Sequence, residues 1–180
     1  MSLFIEQIYD DVGKRVPDSC LLKRAEPVDI SDAGLRVVHA SVRDAVEAMH
    51  RMRGVGIAWP QIGISLRVFV SCPGGLRGNE RVFVNPDVFT PSGGTRTVHS
   101  SEGCLSVCRG TKHLVVHRFP EVVIHAHEIL DWHKPVSSKP GRGARFMPVH
   151  YTAKGMEALV LQHEHDHLDG ILLGGNLGKV

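Results

Sequence analysis

Thr152 to Gly170 reads TAKGMEALVLQHEHDHLDG, and within it Met156, Val160, His163 and His167 recur at spacings of four, three and four residues. That period predicts a helix from near Thr152 to Asp169 and Gly170, with two histidines sharing the buried stripe with apolar side chains. The run His163-Glu164-His165-Asp166-His167 contains the pattern HExxH. On a helix turning about 100° per residue, His163 and His167 lie about 40° apart and can hold one ion together. His165 falls about 200° from His163, so it cannot join them and is expected in solvent or as a neighbour of the ligands. Glu164 is placed to take a proton from a water at the ion, the part this glutamate plays in zinc hydrolases. A merely polar, histidine-rich face does not account for the pattern, because two unpaired imidazoles on an apolar stripe are costly.

Two histidines need a third protein ligand. The helix begins like the longer motif HExxHxxGxxH, but Leu173 stands where its third histidine belongs, and no glutamate follows His167. The missing ligand must therefore lie upstream. Of the four cysteines, Cys104 stands on a glycine-flanked bend, Ser101-Glu102-Gly103-Cys104-Leu105-Ser106, where a thiolate is accessible to an ion. Cys72, in VSCPGG, reads as a turn residue and Cys20, in DSCLL, as a core hydrophobe, while Cys108 is the rival to Cys104. Two histidines, one cysteine and a water make the open, catalytic style of metal site.

Outward from this helix the chain reads as helix, then strands, then helix. The first helix is predicted from Ser31 or Asp32 to Arg53, stopping at Gly54, with Leu35, Val38, Val42, Val46 and Met49 on one face. Strands are expected at Arg67 to Ser71, Arg81 to Val84, His113 to Phe119 and Glu121 to Leu130, punctuated by CPGG, NP and PSGG turns. In the last strand Val122, Ile124 and Ala126 should face the core, leaving His125 and His127 on the other side. Asp131 to His150, rich in Pro, Gly, Ser and basic residues, reads as a long loop or irregular hairpin. The order argues for an α+β fold rather than a doubly wound sheet.

Composition sets the bounds. The chain has 180 residues, 42% hydrophobic and 22% charged, which suits one domain spanning residues 1–180 and excludes a disordered chain. A net charge of +2 gives no electrostatic case for nucleic-acid binding, and no apolar run is long enough for a membrane helix. The N-terminus MSLFIEQIYDDVGKR lacks the apolar core of a secretory signal, so a reducing, cytoplasmic setting is expected. Twelve histidines are the unusual entry in the composition, and they first raise the suspicion of a metal.

Three motifs then stand in order: Gly54-Val55-Gly56-Ile57-Ala58-Trp59-Pro60-Gln61, Glu102-Gly103-Cys104-Leu105-Ser106 and Gln162-His163-Glu164-His165-Asp166-His167-Leu168. Together they resemble the peptide deformylases, whose motifs are GxGxAAPQ, EGCxS and HExDH. The flanks Leu22 to Val28 and Val84-Asn85-Pro86 resemble that family too, so the likeness runs from about residue 18 to residue 172. It implies an α+β fold in which antiparallel sheets enclose the HExxH helix. It also implies removal of the formyl group from N-formyl-methionyl peptides of nascent proteins by a bacterial-type, cytoplasmic metallohydrolase that releases formate.

Carried over residue by residue, the resemblance makes Cys104, His163 and His167 ligands of one divalent ion, Fe2+ in the cell and replaceable by Zn2+ or Ni2+. The donor set alone does not separate iron from zinc. Glu164 becomes the general base and acid, Gln61 and the backbone N–H of Leu105 the oxyanion donors, and Glu102 a residue that fixes the loop carrying Cys104. Gly56 and Ile57 would lie along the substrate, with Met156, Leu159 and Val160 forming the pocket for its methionine side chain. A transient contact with the ribosome follows from the nascent substrate.

The sequence also departs from the family pattern. Trp59 replaces an alanine, Cys108 a proline and Glu157 an apolar residue, and the segments 108–118 and 131–150 are longer than expected. Trp59 either narrows the cleft or packs away from it. The first case, together with the long 131–150 loop, points to a divergent amidohydrolase for another N-formyl or N-acyl substrate.

Overall fold

The computed structural model describes residues 5, 19–91, 96–107, 113–137 and 142–173. Cys108 and the rest of 108–112, the first part of the longer segment 108–118, lie outside them. The described residues form an α+β arrangement of two helices and seven strands, with short 3₁₀ turns at Cys20–Leu22 and Trp59–Ile62.

Helix α1 spans Asp32–Arg51. Ser31 caps it, its Oγ accepting the Gly34 N–H at 3.3 Å, and Asp32 at the start and His50 and Arg51 at the end complement the helix dipole. All five residues of the predicted stripe are buried. Strands β1 (Gly56–Ala58), β2 (Val68–Ser71), β3 (Arg81–Phe89), β6 (Glu121–Leu130) and β7 (Arg145–Lys154) make one antiparallel sheet in the order β1-β2-β3-β6-β7. Strands β4 (Val98–Gly103) and β5 (His113–Arg118) pair as a separate ribbon.

Strand alternation divides the core between the helices. Val68, Val70, Val82 and Val84 pack with α1, whereas Phe69, Phe83, Val122, Ile124 and Ala126 pack on the opposite side against α2 (Met156–Leu168). Burying each such large side chain contributes about 1.5–3 kcal/mol. Helix α2 is also tied to the ribbon side: Gln162 Nε2 donates to Phe119 O at 2.8 Å, and the Phe119 N–H returns a bond to Gln162 Oε1 at 3.0 Å. The HExxH helix is therefore gripped from both sides, as expected.

Four expectations need correction. Residues 145–154 form the edge strand β7, ten pairs long with β6, which favours the hairpin reading of 131–150 over the loop and carries it on to Lys154; Pro148 obscures the strand, and an edge strand tolerates the missing N–H. For the same reason α2 begins at Met156 and not near Thr152: Thr152 to Lys154 still pair with β6, and Gly155, at φ 58°, makes the break. The short strand β1 and the Ser- and His-bearing β4 carry little strand signal and were not expected. Strand β3 runs on to Phe89 past an irregularity between Val84 and Asp87, where Asn85 (φ 48°) turns its side chain to hold both Val28 N and Val28 O at 2.8 Å. That bond pair joins the opening segment to the central strand.

Candidate active site

Strand β4 ends at Gly103 and delivers Cys104 to the face of α2 that carries His163 and His167. The three ligand atoms lie within 4.8 Å of one another, and Cys104 Sγ stands 3.3 Å from His167 Nε2. Cys104 and His167 are buried, and the His163 side chain keeps 13% exposure, so the group is closed on the protein side and reachable from one other. Burial by itself raises the Cys104 thiol, but the neighbouring His167 and His163 outweigh it and bring its pKa down to about 5. A thiolate is the metal-binding form.

The imidazole of His163 is oriented from behind. Its Nδ1 is 2.9 Å from Glu102 Oε2, and Arg118 grips both Glu102 oxygens at 3.0 and 2.9 Å while reaching Asp166 at 2.6 Å. Glu102 was expected to fix the Cys104 loop; the structure shows it touching the His163 imidazole directly. Against the cost of burial, His163 and Arg118 hold its carboxyl at about 2. Asp166 of the motif thereby gains a part that spacing did not announce.

Glu164 is 4% exposed and its Oε2 has no hydrogen-bond partner among the described residues. Burial raises its pKa to about 7 despite the two nearby histidines, close to the range in which a carboxyl group both accepts and returns a proton. Gly56 packs directly on it: a Cβ there would be driven into the carboxylate, 2.7 Å from Glu164 Cδ. The glycine of the first motif is therefore demanded by the buried Glu164 carboxylate itself.

Gln61, in the 3₁₀ turn after β1, is 2% exposed. Its Oε1 accepts the Ala58 N–H at 2.9 Å, which aims Nε2 at Ser106 Oγ, 3.3 Å away, and at Cys104 Sγ, 3.9 Å away. A cleft of about 500 Å³ opens over this group, lined by Gly56, Leu105, Met156, Leu159, Val160 and Glu164 among others. Ile57 is not part of that wall; it is wholly buried in the core beneath α1, because its neighbours in β1 alternate between faces. Met156 is correctly placed in the cleft but is 59% exposed rather than buried in the helix stripe.

The departures resolve as packing. Trp59 is fully buried in the α1 layer, its indole N–H donating to Ser41 Oγ at 2.9 Å, and it does not line the cleft. Glu157 accepts the Tyr151 hydroxyl at 2.7 Å and Arg81 at 3.3 Å, so its charge is paired. His165 is turned away from the ligands as predicted, yet it is not solvated: Arg67 Nη2 lies 3.2 Å from its Nε2, and the same arginine holds Asp169 at 2.7 Å. Cys72 opens a turn as expected, its O accepting the Gly75 N–H at 2.8 Å, and is wholly buried as well, whereas Cys20 is half-buried with Sγ 3.1 Å from Pro60 O rather than a core residue.

A model of the family described as polypeptide deformylase matches residues 14–179. A peptide deformylase of Dictyoglomus turgidum is 34% identical over 160 residues, 89% of this chain and 88% of that one. Peptide deformylase 1 of Clostridium perfringens is 34% identical over 155 residues, 86% and 89% of the two chains. Among solved structures, a peptide deformylase from Legionella pneumophila superposes with a TM-score of 0.68 at 31% identity, covering 94% of this chain and 83% of the other. One from Synechococcus elongatus in complex with actinonin gives 0.68 at 26% identity, with 94% and 75% covered.

Proposed function

The chain belongs to the polypeptide deformylase family, metal-dependent hydrolases that remove the formyl group from nascent peptides, and we propose that Cys104, His163 and His167 hold its ion and Glu164 is its general base and acid. The observation that carries this reading is the convergence of three donor atoms within 4.8 Å beside a buried carboxylate at the floor of an open cleft. The donor set fits a divalent cation: a thiolate and two imidazoles in a partly open arrangement. Held by Cys104, His163 and His167, such an ion would supply Lewis acidity toward a water and a carbonyl oxygen.

The chain's own residues do the rest. Glu164, with one oxygen lacking a partner among the described residues, takes a proton from the attacking water and returns it to the amine as the C–N bond breaks, giving formate and a free N-terminus. The Gln61 amide and the backbone N–H of Leu105 donate to the oxygen on which charge develops, and Gln61 is held in that direction beforehand by Ala58. Met156, Leu159 and Val160 give the cleft an apolar wall suited to a methionine side chain. Glu102 and Arg118 hold His163 in register.

Ferrous iron is the ion we assign, with zinc and nickel as substitutes; a Cys/His₂ set accepts each of them. We assign one catalytic domain to residues 1–180, a cytoplasmic setting and a transient ribosome contact, consistent with substrates borne by nascent chains. No helix among the described residues is long and apolar enough to cross a membrane. Because Trp59 lies in the core, it offers no reason to assign a different acyl substrate, and formyl-methionyl peptide is the expected one. Glu164→Ala should retain stoichiometric metal while kcat on that peptide falls by about 10²–10⁴-fold; full turnover would overturn the assignment. Comparable turnover of the acetylated peptide would overturn the substrate.

A further inference from the structure

We propose that His50, Cys72 and Glu80 form a second cation site, for a divalent ion of the zinc type, which clamps the β2–β3 loop to α1 beside the substrate cleft. The three come from different elements: His50 from the last turn of α1, Cys72 from just after β2, Glu80 from just before β3. Their ligand atoms nevertheless lie within 4.8 Å of one another. All are removed from water, the side chains of His50 and Glu80 being 6% and 5% exposed and Cys72 wholly buried.

The chemistry selects the ion. Imidazole nitrogen, thiolate sulfur and carboxylate oxygen are the donors of tetrahedral zinc sites and suit neither magnesium nor calcium. One thiolate and one carboxylate neutralise a divalent charge, so the occupied site buries no net charge. Glu80 is already oriented, its Oε2 accepting the Gly78 N–H at 2.9 Å, a support of the kind that fixes metal-binding carboxylates.

Binding releases the Cys72 thiol proton to solvent, and His50 ligates as the neutral imidazole. The His50–Glu80 contact, now 2.5 Å, must open to about 3.3 Å to span an ion with bonds of about 2.0–2.1 Å. The connecting loop can supply that movement, because Gly74, Gly75 and Gly78 occupy positive φ and a Cβ at Gly74 or Gly78 would meet nothing within 4 Å. Cys72 N–H donates to Val55 O at 2.8 Å, and Gly54, Val55 and Gly74 line the cleft. Occupancy therefore stiffens the cleft wall facing α2.

The test is zinc stoichiometry, by elemental analysis after equilibration of the full chain with zinc and desalting. Wild type should hold two equivalents, and Cys72→Ala and Glu80→Gln one each with kcat unchanged. Either variant suffices if the other fails to fold. One equivalent in wild type overturns the proposal. So does a second equivalent that survives both substitutions, which would place it on surface histidines such as the His125–His150 pair, 3.9 Å between ring centroids.

Discussion

The Cys104 centre and the His50–Cys72–Glu80 cluster use nearly the same side chains at similar burial, yet their thiols are driven in opposite directions. Cys104 has two imidazoles beside it and falls to about 5. Cys72 is raised, first by burial and then by the Glu80 carboxylate. Two imidazoles beside a buried cysteine outweigh its burial and favour the thiolate, whereas a carboxylate adds to the effect of burial and favours the thiol. The first cluster also opens onto a cleft with the buried Glu164 carboxylate and the oriented Gln61 amide, whereas the second lies between a helix end and a hairpin loop.

The sharpest way to break this comparison is to disturb the Cys104 centre without touching a ligand. Gly56→Ala pushes a methyl into the Glu164 carboxylate, and a misplacement of about 1 Å at a reacting group can cost about 10²-fold. kcat should fall by about that factor with metal content unchanged; a change in KM alone would show that Gly56 serves only substrate approach. Arg118→Met leaves Glu102 without its bidentate partner and loosens His163. Metal affinity should then drop about 10–100-fold, measured by competition with a chelator, because outer partners of ligands carry that much.

The same scale of change in the second cluster should appear as stability instead. Glu80→Gln weakens a buried pair and should cost about 1–3 kcal/mol in denaturant unfolding without altering kcat. Burial raises the Glu80 carboxyl, but hydrogen bonds from His50, its own backbone N–H and Gly78 win, and its folded pKa lies below 4.5. Its contribution is thus present above that unfolded value and lost as pH falls through the folded one, so wild type and variant should converge in acid. The other charges at this corner, Glu47 and Arg77, pair with each other at 2.8 Å and are common to both proteins. The smallest effect belongs to the shared α1 layer: Trp59→Phe loses the bond to Ser41 and should cost about 1 kcal/mol while leaving substrate preference intact. A shifted preference would return Trp59 to the cleft.

How legible each cluster was follows from where its residues sit along the chain. His163, Glu164 and His167 share one helical turn, so the period of the backbone announces them. His50, Cys72 and Glu80 sit on three elements with no repeat to connect them, and only the packing of the hairpin on α1 brings them together. The position of Glu164 beside His163 was readable, but its burial against Gly56 was not, since β1 is three residues long and carries little strand signal. The β7 strand was hidden by Pro148, and Arg118 by the distance along the chain between it and the motifs it braces.

Sequence alone therefore determined the α+β class, the two-histidine helix, the glutamate between the ligands and the need for an upstream third donor, because helix periodicity and coordination number are local or arithmetic constraints. Tertiary structure decided that Cys104 meets those histidines, that Trp59 fills the core, that Ile57 leaves the cleft wall, and that a second donor set assembles at the hairpin. Those outcomes depend on which faces are buried against one another across long sequence separations, and burial between distant segments leaves no period to read.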